Sequence, residues 1–367
     1  MHFILGANIR DSHTTGMGRQ MYGLGDALTA RGHGVEYFFD DDVGSRFGHK
    51  LARLEYPVRL AAALRRRPPA NGERPIALLH EPIGWASALF ARHRVRTIAM
   101  VHNCESKVWR LKRAQGPAIG DVIQPSSRLL WPATELSQAY LSLKSAEAVL
   151  CLSSEDRTYL VDELRIAPAR VHRIDNGLEP VFMGLPPVAS DSTRQLLFVG
   201  HWLPHKGTAI LKSALEKLTA RGVSATLTLA GTSSTESAIL QELPPEWRAT
   251  TEVIPRFEPD ALIALYRRHQ VFVLPSAWEG IPLSMLEAMA CGLCPIVARV
   301  GGVPDVLEDG VTGRLVKSLD ANALADALAS ALRDPEQTQR LARAAQQAAQ
   351  GYGWSRVAEQ VERAVAA

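Results

Sequence analysis

This sequence is short of several things that mark common protein classes. Four cysteines in 367 residues are too few to staple a chain of this length, which excludes a disulfide scaffold. Cys291 and Cys294 form a CxxC, but Cys104 and Cys151 stand alone, so a four-sulfur zinc site lacks its second pair. The pair reads as two small residues in a packed turn, where the helix end of ACGLCPIVA runs into a buried strand; a redox couple is the alternative. No window approaches the roughly 18 apolar residues that a bilayer span needs. The opening MHFILGANIRDSH has no basic segment ahead of its apolar run and meets Arg10 and Asp11 at once, unlike a secretory signal. A cytoplasmic protein is expected, at most peripheral to the inner face of a membrane.

A complete GxGxxG is also missing. In TTGMGRQ (14–20) Gly16 and Gly18 are present, but Met21 stands where the third glycine belongs. That disfavours a dinucleotide oxidoreductase and leaves a glycine loop that lets backbone approach a phosphate. DDD at 40–42 reads as a solvated turn rather than a metal-binding acid cluster, and His80, Glu81 and His102 have no metal-type spacing, so no metal site is expected.

What is present is an ordinary globular balance, 46% hydrophobic and 22% charged. The length suits two domains with separate cores. Charge is divided unequally: residues 1–183 carry 24 Lys and Arg against 19 Asp and Glu, leaving 17 against 19 for the remainder. The basic excess lies in 59–74, 91–96 and 106–113. It lacks the interleaved aromatics of a nucleic-acid module, so no nucleic-acid partner is expected. Solvated faces are one reading, and attraction to an anionic membrane surface or a phosphorylated acceptor is the other. Trp85, Trp109 and Trp131 in this half suit a sugar stack, a membrane interface or buried packing equally well.

Short apolar runs alternate with amphipathic stretches, the pattern of parallel sheets covered by helices. Strands are predicted at 2–6, 35–39, 76–80, 97–102 and 148–153, with a helix over 19–33 ending near Gly32. The Pro, Ser and Asp texture after residue 183 marks a boundary. Beyond it, strands are predicted at 195–200, 225–231, 251–255, 271–275 and 294–298, followed by three helical segments. The fold class is therefore α/β, with two Rossmann-like halves whose site lies where strand carboxyl ends meet.

Two stretches carry the chemistry. In WEGIPLSMLEAMACG (278–292), Glu279 lies just past a strand end, and Pro282 suits the first turn of a helix whose free N–H groups favour a phosphate. Glu287, inside that helix beside Leu283, Leu286 and Met289, is a buried acceptor suited to a vicinal diol such as ribose. Glu279 suits the hydroxyls of a second ring. In FVGHWLPHKG (198–207), Lys206 and His201 follow another strand end and suit a diphosphate.

These residues together resemble glycosyltransferase family 4, retaining enzymes of the GT-B fold that use nucleotide-sugars. EGIPLSMLEAMACG resembles the family's two glutamates separated by seven residues, VGHWLPHKG its KG loop, and GMGRQMYGLGDALTARGH its glycine loop and helix. IDNGLEPVF (174–182) resembles its NG turn and GGVPDVLEDGVTGRLV (301–316) its late glycine segment. The resemblance implies an acceptor domain over 1–183, a donor domain over 184–351, and a terminal helix, about 352–367, that returns to the first domain. It assigns catalysis to Glu279, His102 and Lys206. It assigns the donor to Gly16, Gly18, His201, Lys206, Gly231, Arg256, Glu279, Gly280, Ile281, Pro282, Leu283, Ser284 and Glu287. The implied co-substrate is a nucleotide-diphosphate sugar, UDP-sugar first, with no cofactor. The implied acceptor is a glycan or a lipid-linked group of a surface polysaccharide or other glycoconjugate. Two departures stand out: His201 replaces the usual arginine, bringing a group that titrates near 6.5 when unperturbed, and Thr15 replaces the first glycine of the usual pair. The rivals are a GT-B nucleotide-sugar epimerase and a non-catalytic nucleotide-sugar-binding subunit.

Overall fold

The computed structural model describes residues 1–13, 15–43, 49–66, 73–187, 195–258 and 261–366. Two parallel six-stranded sheets organise it. The first comprises β1 (His2–Gly6), β2 (Gly34–Phe38), β3 (Ile76–His80), β4 (Arg96–Val101), β5 (Ala148–Cys151) and β6 (Val171–Arg173), in the order β2-β1-β3-β4-β5-β6. The second comprises β7 (Gln195–Val199), β8 (Thr226–Ala230), β9 (Thr251–Ile254), β10 (Val271–Leu274), β11 (Cys294–Ala298) and β12 (Arg314–Val316), in the order β12-β11-β10-β7-β8-β9. Every residue of β3, β5, β10 and β11 is buried, as strands covered on both faces require. The short edge strands β6 and β12 have no apolar run for a sequence reading to catch.

In each sheet the chain starts on an interior strand and winds outward in both directions. Strand order therefore reverses between β1 and β3 in the first sheet and between β7 and β10 in the second. At such a switch point the loops leaving two neighbouring strands diverge to opposite faces and open a crevice at the carboxyl ends.

The chain divides into two compact units: Met1–Arg110, Ile123–Gly177 and Trp354–Ala367 form one, and Leu111–Val122 with Leu178–Gly353 the other. The boundary expected after residue 183 lies six residues past Gly177, next to the undescribed residues 188–194. The terminal helix Trp354–Ala366 packs in the first unit because it buries one stripe, Trp354, Val357, Ala358, Val361, Ala364 and Val365. Its Trp354 indole fills space that only hydrogen atoms leave: a Cβ on Gly23 or Gly177 would lie 2.2 or 2.1 Å from the ring. Gln360 exchanges two 2.8 Å hydrogen bonds with the buried Asp175, and Arg31 and His33 meet Glu362 at 2.6 and 2.7 Å.

All four cysteines are free and buried. No helix among the described residues is long and apolar enough to cross a membrane.

Candidate active site

In the second unit, the loops after β7 and β10 meet at the switch point. The β7 loop passes through the turn Pro204–Lys206 to Gly207, which has φ 78° and opens the helix Thr208–Ala220. A Cβ at Gly207 would sit 2.0 Å from the Pro275 carbonyl oxygen, so glycine both permits the left-handed backbone and lets the two loops touch. Ala277 N–H donates to the His205 carbonyl at 2.8 Å, and the His205 ring stacks on Trp278 at 5.6 Å. Burial, and then the charge of Lys206, holds His205 below the usual histidine range.

That interlock puts Lys206 against Glu279. Lys206 Nζ and Ser276 Oγ each donate to Glu279 Oε1 at 2.7 Å, and Glu279 is buried, 8% exposed. A carboxylate at this depth needs such partners, since an isolated buried charge costs several kcal/mol. Gly301, at φ 52°, lets the late glycine segment close on the same loop. Its Cβ would lie 1.8 Å from the Glu279 carbonyl oxygen, and Gly302 N–H donates to the Gly280 carbonyl at 2.8 Å.

The next helix, Leu283–Ala290, begins after Pro282. Gly280, Ile281 and Pro282 are buried, and Leu283 and Ser284 half-buried at the helix start, where backbone N–H groups lack intrahelical partners. Glu287, one turn further in, is 2% exposed, and its Oε2 accepts from the Tyr266 hydroxyl at 2.7 Å. Of the other expected donor residues, His201 and Arg256 are exposed after β7 and β9, and Gly231 directly follows β8, against the Phe257 ring. Ser276 and Tyr266 were not singled out by the sequence reading. Ser276 stands three residues from Glu279, a signal that was available; Tyr266 comes from a preceding helix and had none.

In the first unit, Thr15 opens the helix Gly16–Ala30 by accepting from Gly18 N–H at 3.2 Å. This is an ordinary N-cap, and it gives the departure from the Gly-Gly pair a structural use. A Cβ at Gly16 would meet nothing within 4 Å, whereas one at Gly18 would lie 1.8 Å from the Ser12 carbonyl oxygen. Gly16 thus presents open backbone, and Gly18 serves the loop's own packing.

His102 lies just past β4 and stacks on His80, which ends β3, at 4.4 Å. Nδ1 of His80, both ring nitrogens of His102 and Oε1 of Glu81 are buried without a protein partner. The other Glu81 oxygen accepts from Glu105 N–H at 3.4 Å. Burial, and then the adjacent His102, pushes His80 well below its usual range; burial brings His102 to about 4. Burial, followed by repulsion from Glu105, pushes Glu81 well above the carboxylate range. Burial and the Glu135 charge raise Glu105 to about 7. Uncharged forms are favoured throughout this cluster. Among the described residues no three His, Cys, Asp or Glu side chains are grouped to hold a metal ion.

Comparison with known proteins agrees with this architecture. Residues 14–182 match the family model described as Glycosyltransferase Family 4, and residues 185–348 the model described as Glycosyl transferases group 1. The D-inositol 3-phosphate glycosyltransferase of Frankia alni is 30% identical over 264 residues, 67% of this chain and 63% of that protein. The alpha-maltose-1-phosphate synthase of Mycolicibacterium smegmatis is 30% identical over 267 residues, 63% of this chain and 67% of that protein. The match thus spans less than two thirds of the length of the Frankia relative. Sucrose-phosphate synthase from Thermosynechococcus elongatus superposes with a TM-score of 0.77 at 20% identity, covering 100% of this chain and 98% of that one. Anabaena HepE, solved with UDP and glucose, superposes with a TM-score of 0.70 at 16% identity, covering 100% and 99%. The fold is the GT-B type, built of two Rossmann-like units, and the chain belongs to glycosyltransferase family 4.

Proposed function

We propose that the protein transfers a sugar from a nucleotide-diphosphate sugar to an acceptor hydroxyl, retaining the anomeric configuration. The observation that carries this reading is the placement of three side chains at one switch point: Lys206 in contact with the buried Glu279, and Glu287 buried one helical turn into the helix that follows. In this reading Lys206, His201 and the open N–H groups at the start of Leu283–Ala290 hold the diphosphate. Glu287 accepts from the ribose diol and Glu279 from the transferred sugar. The tyrosine and serine contacts fix both carboxylates before the donor arrives, so little ordering remains to be done on binding. A leaving phosphate gripped by Lys206 serves to take the acceptor proton on the same face, and no protein nucleophile is called for. HepE, of the same fold, was solved with UDP and glucose, which supports a UDP-sugar as the first donor to try. The first unit, with the polar atoms of His80, Glu81 and His102 at its strand ends, is assigned the acceptor, a glycan or a lipid-linked hydroxyl in glycoconjugate synthesis.

A thermal-shift panel of UDP-, GDP-, ADP- and dTDP-sugars tests the donor. One nucleotide class should raise the melting temperature in a dose-dependent way, and the increment should shrink for Lys206→Ala. Silence across the whole panel would remove the reading.

A further inference from the structure

We propose that the first unit holds a second, uncharged sugar ring of an oligosaccharide acceptor against the stacked indoles of Trp109 and Trp131. The inference deepens the acceptor half of the reading above and rests on it.

The polar groups at the ends of β3 and β4 do not stop at His102. Glu105 N–H donates to Glu81 at 3.4 Å, and Glu105 opens the helix Glu105–Ile119. One turn later the same face of that helix carries Trp109. The Trp109 ring lies parallel to that of Trp131, with centroids 6.3 Å apart and an interplanar angle of 10°. Four residues past Trp131 stands Glu135, which is buried and whose charge adds to burial in raising Glu105. Arg53 completes the group. Its guanidinium lies 5.5 Å over the Trp131 ring and 3.8 Å from Glu135, and its side chain is 51% exposed, so N–H donors remain for a ligand. A continuous row therefore runs from the buried, unpartnered atoms of His80 and Glu81, through Glu105, to two indoles flanked by a carboxyl and a guanidinium.

This composition differs from that of a packing cluster. Both indoles are half-buried, and the groups beside them include two carboxyls and a cation. A pyranose has an apolar face of C–H bonds and a rim of hydroxyls. An indole takes the face, burying a large apolar area on a rigid side chain, while carboxyls and a guanidinium take the rim. Burial favours the neutral forms of Glu81 and Glu105, and a neutral carboxyl both donates and accepts, as a hydroxyl does.

The same row is unsuited to a phosphate or a uronic acid. The charges that act on Glu81 are those of Glu105 and Asp156, both acids. Lys107, in the helix that carries Trp109, is held by Asp156 and Glu155 at 2.8 and 3.1 Å, and Arg53 already faces Glu135. An anionic ring would meet acids whose neighbouring cations are engaged.

A printed array of neutral, phosphorylated and uronic-acid oligosaccharides, probed with the labelled full chain, tests the proposal. Binding is expected to a subset of the neutral glycans. In solution titrations of the best-bound glycan, Trp109→Ala should weaken affinity about tenfold. Trp109→Phe, which keeps an aromatic face, should stay within about threefold of wild type. The nucleotide thermal shift, which reads the second unit, checks that each variant is folded. Four results would overturn the proposal: no oligosaccharide bound, a preference for the phosphorylated or uronic-acid glycans, unchanged affinity in Trp109→Ala, or equal losses in the Ala and Phe variants, which would make the indole structural. Trp109-dependent glycan binding by a chain silent to every nucleotide would leave this subsite standing and remove the donor reading alone.

Discussion

The strand ends of the two units answer the same problem, buried polar side chains, in opposite ways. In the second unit Glu279 is given two donors, Lys206 and Ser276, and one oxygen of Glu287 accepts from Tyr266. In the first, Glu81 and the stacked His80 and His102 keep buried atoms without protein partners, and burial drives them toward their neutral forms. A partnered carboxylate is fixed in place, fit to grip a ligand that arrives in one pose. An unpartnered cluster avoids charge and leaves hydrogen-bonding capacity to be used, fit to take hydroxyls in more than one arrangement. On the proposed reading, the contrast suits a donor held in one pose and an acceptor whose hydroxyl must be reached.

The largest effect that sharpens the contrast is expected from Glu279→Gln. It keeps the shape and removes the charge that Lys206 and Ser276 were placed to hold. Sugar transfer should fall on the order of 10²–10³-fold, as when one preorganised electrostatic contact is lost, while the melting temperature without nucleotide changes little. Turnover within a few-fold of wild type would show that the partnered acid is structural. Lys206→Ala comes next and should behave differently. It leaves Glu279 buried with its cation gone, at a cost of about 1–3 kcal/mol, so the melting temperature falls by several degrees and the nucleotide shift shrinks with it. An unchanged melting curve would mean that Glu279 is not held by the ion pair.

How much of this was legible in the sequence follows from how far apart the partners stand. Glu279 and Glu287 lie on one continuous strand-turn-helix segment, so their separation along the chain determines their separation in space. Lys206 could be read because a lysine before glycine at a strand end is itself a signal. Tyr266 could not, because it reaches Glu287 from another helix 21 residues earlier. Glu81 and Glu105 were invisible as a pair for a similar reason: they meet only because β3 and β4 lie side by side in parallel, which brings two strand-end loops together. The central strands were readable from unbroken apolar runs. The edges β6 and β12 were not, since three residues at a sheet margin have no periodicity to detect. Thr15 registered as a departure from a family pattern, and the geometry shows it as a helix cap.

The contrast should also appear in pH dependence, first at Glu105. Its folded pKa is raised to about 7 by burial and Glu135, above an unfolded value of about 4.3. Between those two values the folded state holds a proton that the unfolded state has released, so stability falls as pH rises through that window. Glu105→Gln mimics the neutral acid and should match wild type near pH 4 while melting a few degrees higher at pH 8. Equal melting at pH 8 would mean that the cluster accommodates the charge.

Glu362 gives the smallest effect and the opposite sign, within the same unit. Arg31 and His33 hold it at about 2, Arg31 being the larger cause, so its contribution is fully present above an unfolded pKa of about 4.3 and is lost as pH falls toward 2. The pair joins two surface helices, Gly16–Ala30 and Trp354–Ala366, and Arg31 is one third exposed, so solvent screening keeps the gain small. Glu362→Gln should therefore melt slightly lower than wild type at pH 7, with the difference closing below pH 3 and shrinking in high salt. If both variants shifted in the same direction with pH, partnered and unpartnered carboxyls in this protein would titrate alike, and the contrast between them would fail at its physical root.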